Sequence, residues 1–206
     1  MKSFLAVFIQ FYSPDTAYEM VTGIHQNRSL AGAAALILIV GFSPFLLSGG
    51  SFSFDLMIPV LVLVERVILA SAAGLAVYIL SFAIGGRKPL WPAVTTSFLS
   101  MGAFMLLVAF LAFLSYLFSL PPGFSWSPAE GMLNLPVTRL SVFVVVFSSR
   151  LDIASLVTVY LWGRGLSTGW GESTDFGQRL AWTVYLFGVL LLTLPVFIAP
   201  PGGEGG

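Results

Sequence analysis

Four ionisable residues stand where the chain is otherwise apolar: Glu65 and Arg66 within Met57 to Phe82, and Arg150 and Asp152 within Leu140 to Trp162. In hydrocarbon each such charge costs at least about 2.5 kcal/mol, so charges at that depth normally face a protein interior and are paired. At about 1.5 Å per residue, Glu65 and Arg150 fall at similar depth in their runs, which permits a Glu65–Arg150 or an Arg66–Asp152 bridge. Neighbouring residues on a helix point about 100° apart, so both bridges together are harder to close than one. Two chemistries follow. The four charges form an internal lock that fixes helix register, the reading favoured by their pairing, or they line a polar cavity for a headgroup, a proton or a small solute. Ser148 and Ser149 stand beside Arg150, either lining that cavity or bonding back to the preceding turn.

Other chemical signatures are sparse. The chain has no cysteine and a single histidine, His25, which removes thiol chemistry and argues against a histidine-rich metal site or a Ser-His-Asp triad. Gly165-Leu166-Ser167-Thr168-Gly169 matches the spacing of a nucleophile elbow. It lacks the preceding strand, and a glycine-rich membrane loop accounts for it. P-loop, dinucleotide-binding and HExxH patterns are absent. No metal and no cofactor are expected. An intramembrane enzyme using Glu65 or Asp152 as acid or base would need a second catalytic group within hydrogen-bond reach, and the sequence offers no convincing one.

The elements that must position these residues are set by composition. Of 206 residues 57% are hydrophobic and 9% charged, with a mean hydropathy of +0.96, whereas a soluble domain carries about 25% charged residues. Nine Lys/Arg balance nine Asp/Glu, so no basic field exists to hold nucleic acid. The runs Leu30 to Ser48, Met57 to Phe82, Trp91 to Phe118, Leu140 to Trp162 and Leu180 to Ala199 predict an all-α bundle of five transmembrane helices. Ala70, Ser71 and Gly74 permit close helix approach in the second run. Gly163 to Gly171 reads as a glycine-rich loop, and Trp91, Trp126, Trp162 and Trp170 as an aromatic belt. The chain then divides into an interfacial helical segment over 1–28, a membrane domain over 29–199 and a frayed tail over 200–206.

Lys2, Arg28, Arg87, Lys88, Arg164 and Arg179 all fall on one side of these spans, and Arg139 on the other. The excess puts the N-terminus in the cytoplasm and the C-terminus outside or in the lumen. Lys2 followed by Phe4 to Ile9 has too short an apolar core for a signal peptide. Ser13-Pro14-Asp15 reads as a helix start, with the helix running to about Gln26 and presenting Ala17, Val21 and Ile24 on one face. Together these segments suggest a helical hairpin on the cytosolic face, the alternative being a simple lead-in to the first span.

The opening Phe11-Tyr12-Ser13-Pro14-Asp15-Thr16-Ala17-Tyr18-Glu19 before five spans, the turn Gly85-Gly86-Arg87, and Trp162 ahead of Gly163 to Gly171 resemble the layout of the Ypt-interacting-protein (Yip) domain family. The resemblance covers about Phe11 to Ala199 and implies a five-helix integral protein with a cytosolic N-terminus. For eukaryotic members the resemblance would further imply endomembrane traffic and binding of prenylated Rab GTPases, but the segment expected before the first span here is shorter than the long leader those members carry. The chain is more similar to the short prokaryotic members, a resemblance that implies a prokaryotic cell membrane, and the Rab partner is not carried over. The function expected is non-enzymatic: contacts with membrane lipids, other integral membrane proteins or a second copy, as an accessory subunit or adaptor. Pro14, Asp15, Glu19, Arg87, Lys88 and Arg164 would form its cytosolic interface. The competing readings are a small transporter using the buried charges and, less favoured, the intramembrane enzyme.

Overall fold

Proline and polar turn residues punctuate the long apolar runs of the sequence. The computed structural model describes residues 2–22, 57–120, 126–132 and 138–198. Every regular element among them is a helix: α1 (Lys2–Tyr12), α2 (Pro14–Thr22), α3 (Met57–Gly85), α4 (Leu90–Leu117), a 3-10 turn (Pro128–Met132), α5 (Arg139–Ser149), α6 (Ile153–Trp170) and α7 (Thr174–Ile198). Pro14 opens α2 where its missing N–H is no loss. Thr138 caps α5 through the Ser141 N–H, and the Ser141 hydroxyl returns the favour to the Thr138 N–H. Gly171, at φ 65°, ends α6 in the left-handed conformation that glycine adopts without strain.

Three helical stretches are long and apolar enough to cross a membrane, Val64–Gly85, Leu90–Leu117 and Thr174–Pro195. The pair α5 and α6, bent by 60° at a short break, makes a fourth if it is counted as one span. The predicted second and third spans agree with α3 and α4. The predicted first span, Leu30 to Ser48, lies outside the described residues, as does the extension of α2 to Gln26, so among the described residues the count is three or four and not five.

The predicted fourth span, Leu140 to Trp162, is corrected. It breaks at Arg150 to Asp152, because the Asp152 carboxylate accepts from the Ser155 N–H at 2.7 Å and so starts a new helix. That helix then runs through the expected loop to Trp170. The reason is that Gly163 and Gly165 face neighbouring helices instead of water, and packing outweighs their low helix propensity. The fifth helix correspondingly begins at Thr174, ahead of the expected Leu180. Trp162, placed in the belt by sequence, is 6% exposed in the central core with Val77, Ala93, Val159, Leu166 and Ala181.

Packing follows from small residues. Ala70 meets Phe98, and a Cβ on Gly74 would lie 2.9 Å from the Val94 Cα, so this stripe seats α3 on α4. Ser71 faces outward and bonds back to Val67 O at 2.8 Å. The α1–α2 hairpin packs on α4 and α6, its core being Ala6, Val7, Ala17 and Tyr18 against Leu99. A Cβ on Gly165 of α6 would overlap the Tyr18 ring. Outward faces of the long helices carry Ile68, Ile79, Phe110, Phe113, Phe187 and Leu192.

Gly165→Val will therefore lift α2 off α6 and destabilise the protein by about 1–3 kcal/mol. Gly188→Ala on α7, where nothing stands within 4 Å, will leave stability unchanged or raised. Thermal unfolding of the detergent-solubilised protein checks the contrast; equal midpoints for the two variants would refute the seating of Tyr18 on Gly165.

Candidate functional site

The four mid-run charges make no ion pair with one another among the described residues. Glu65 is exposed on α3, and α3 packs on α4 and α7. Arg66 turns inward, its guanidinium carbon 5.5 Å from the centroid of the Phe104 ring of α4, a cation–π geometry. Its Nε is buried and has no hydrogen-bond partner among the described residues. Arg150 and Asp152 lie at the α5–α6 break, and α5 packs on α7 and the 3-10 turn. Neither expected bridge, Glu65–Arg150 or Arg66–Asp152, is among the ion pairs of the described residues. The reason is local: Asp152 is engaged by the helix it starts, with Oδ2 also accepting from Ser155 Oγ at 2.9 Å.

The break itself is bonded from three sides. Tyr185 of α7 donates its hydroxyl to Arg150 O. The Ile153 N–H donates to Trp126 O at 3.1 Å, and the Arg150 and Leu151 N–H groups close the last turn of α5 on Phe147 O and Ser148 O. Ser149 bonds back to Val146 O at 2.7 Å, the second of the two roles read from its position. Among the described residues no three His, Cys, Asp or Glu side chains gather as a metal site.

Polar chemistry concentrates at the opposite end of α6. Asp15 of α2 pairs with Arg164 and accepts from Thr168 Oγ1 at 3.0 Å, and Arg164 Nη1 donates to Thr174 Oγ1 at 3.2 Å. Arg164 and Thr168 are four residues apart, so one face of α6 presents both to α2. Lys88, in the turn between α3 and α4, pairs with Glu172 and lies 5.8 Å from the centroid of the Phe176 ring. Trp170 Nε1 donates to Pro89 O at 2.9 Å. Ser167 Oγ lies 3.0 Å from Gly163 O and 2.9 Å from Ser173 O, with one hydrogen to give between them. The elbow-like pentapeptide is thus a turn of helix whose serine serves the α6–α7 connection.

Beneath this layer Tyr18 is fully buried. Its hydroxyl is 3.0 Å from Ser100 Oγ and donates to Gln10 Oε1 at 3.3 Å. Gln10 Nε2 in turn donates to Val7 O at 3.0 Å and Leu99 O at 3.4 Å.

Of the expected cytosolic interface, Asp15 and Arg164 meet each other, and Lys88 meets Glu172. Pro14 is half-buried in the hairpin turn, while Glu19 and Arg87 are exposed. Thr168, Glu172, Thr174, Gln10 and Ser100 were not legible as participants. Only the four-residue spacing of Arg164 and Thr168 hinted at a shared face. The site is an interhelical clasp that ties the hairpin, the α3–α4 turn and the α6–α7 turn together. Comparison with protein-family models, with curated proteins and with solved structures gave no match.

A double-mutant cycle on Asp15→Ala and Arg164→Ala should give a coupling of about 0.2–1 kcal/mol, the range for partly exposed pairs, and it should shrink with salt. Zero coupling at low ionic strength would mean that this pair does not hold the hairpin. At the break, Asp152→Ala should cost about 1 kcal/mol and Asp152→Asn much less, because asparagine caps nearly as well. An equal loss in both variants, read by thermal unfolding, would make Asp152 an ion-pair partner instead of a cap.

Proposed function

We propose that this chain is a non-enzymatic, Yip-like polytopic membrane protein of five transmembrane helices that acts through contacts with lipid and with other integral membrane proteins, as an accessory subunit or adaptor. The observation that carries this reading is the division of labour among its side chains. The long helices turn large apolar residues outward, while the charges at the α6 end join helices of the same chain. A surface of that kind suits lipid and apolar helices. In this reading α5 and α6 form one broken span, and Leu30 to Ser48 supplies the fifth. Arg87 and Lys88 in the α3–α4 turn, which Lys88 ties to Glu172, and Arg164 paired with Asp15 support a cytoplasmic location for that end and for the N-terminus. The resemblance to the short Yip members supports the same orientation and a prokaryotic cell membrane.

Two observations favour a second reading, a small transporter. Discontinuous helices such as α5–α6 line substrate paths in transporters, and the unbonded Arg66 Nε is a donor within the apolar region. The two readings part on what the protein holds when extracted gently from its membrane. Purification in mild detergent followed by mass spectrometry should recover a stoichiometric integral-membrane partner. Recovery of the chain alone or with a recurrent lipid would overturn the subunit role, and water accessibility of a label beside Arg66 would then favour transport.

A further inference from the structure

We infer that α1 of the hairpin is embedded in the hydrocarbon layer beside α4, with Leu5, Phe8 and Phe11 facing lipid acyl chains, while Asp15 and Glu19 of α2 stay at the aqueous edge. This rests on the reading of the chain as a membrane protein and goes beyond it, because the amphipathic N-terminal segment was expected to lie on the cytosolic surface.

The level of the hairpin along α4 carries the inference. α1 and α2 pack on Leu99, with Met105 and Leu106 against the same cluster, and Gln10 Nε2 and Tyr18 Oη bond to Leu99 O and Ser100 Oγ. These α4 residues stand about 14 to 24 Å from its Leu90 end, at ~1.5 Å per residue. The whole helix, 28 residues, is about 42 Å long at that rise. A hydrocarbon layer of about 30 Å that α4 crosses can therefore be shifted by only about 12 Å along it. Wherever the layer is set, the stretch that carries the hairpin lies within it.

The side chains of α1 suit that placement. Its inner face is Ala6, Val7 and Gln10, each fully buried, and its outer face shows Leu5 at 50%, Phe8 at 47% and Phe11 at 40% exposure. Hydrocarbon requires that buried polar atoms be bonded within the protein. Gln10, Tyr18 and Ser100 meet that requirement among themselves and with the backbone. Acyl chains are the occupant that an uncharged aromatic and aliphatic face at this depth selects, since water at that level is excluded by the same layer that α4 crosses.

The chain has no cysteine, so single-cysteine variants of the full protein can carry a nitroxide without background. Leu5→Cys and Phe11→Cys, with Phe110→Cys on the exposed face of α4 as reference, would be labelled and reconstituted in phosphatidylcholine–phosphatidylglycerol vesicles. Oxygen, which concentrates in acyl chains, should relax the labels at positions 5 and 11 several-fold more than a water-soluble nickel chelate, as it does at 110. Nickel-dominated relaxation at 5 and 11, with 110 still oxygen-dominated, would overturn the inference by putting α1 in water or among headgroups. Weak relaxation by both agents at 5 and 11 would overturn it equally, by showing protein over that face. Nickel access at 110 as well would sink the membrane reading itself.

Discussion

The close approach of α2 and α7 to α6 is possible only because glycine stands at the crossing points. A Cβ on Gly165 would overlap the Tyr18 ring, and one on Gly177 would overlap Ser167 and the Gly163 carbonyl. One on Gly163 would stand 2.7 Å from the Gln178 side chain. Without these contacts α6 could not lie against α7, α4 and α2 at once. In a lipid setting, where apolar surface gains nothing by leaving one hydrocarbon for another, van der Waals contact at short range is the main attraction left between helices. The rest of the arrangement is built on it: Trp162 reaches the central core, and Arg164 and Thr168 are brought within reach of Asp15.

Polar groups in this chain act mainly where backbone geometry leaves something unsatisfied. At the α5–α6 break, Asp152, Tyr185 and Trp126 take up the groups that two helix ends expose. At the other end of α6, Ser167, Glu172 and Trp170 do the same for the turns to α7 and α4. Charges placed at such ends are cheap compared with charges in mid-helix, because the bonds they make would otherwise be missing. Glu65 and Arg66, in the middle of α3, are exceptions, Arg66 being held by an aromatic ring with a donor left over.

A protein organised this way offers two kinds of surface to its surroundings. The flanks of α3, α4 and α7 are apolar and suit lipid or other helices, and the clasp end presents Arg87, Glu19, Asp175 and Arg179 to the aqueous side of the proposed membrane. The hairpin links the two, since it joins the clasp through Asp15 and the apolar flank through α1. An accessory role in a membrane assembly would engage both surfaces, with the hairpin as the element whose position reports on either.

Much of the helical content was legible in the apolar runs alone. α3 and α4 begin and end within a few residues of the runs read from the sequence, and the Ser13-Pro14-Asp15 start of α2 is where proline and an acidic first turn demand it. Composition also determined the absence of thiol chemistry and the scarcity of charge. Tertiary structure decided the rest. Hydropathy averages over a window and so read Leu140 to Trp162 as one helix, whereas the Asp152 carboxylate ended that helix by capping the next. Propensity made a loop of Gly163 to Gly171, whereas close packing made it a helix, because a glycine facing another helix contributes contact that a glycine facing water does not. The partners of Glu65, Arg66, Arg150 and Asp152 depended on which helices are neighbours, and a one-dimensional pattern fixes depth along a helix but not its neighbours or the side toward which it turns.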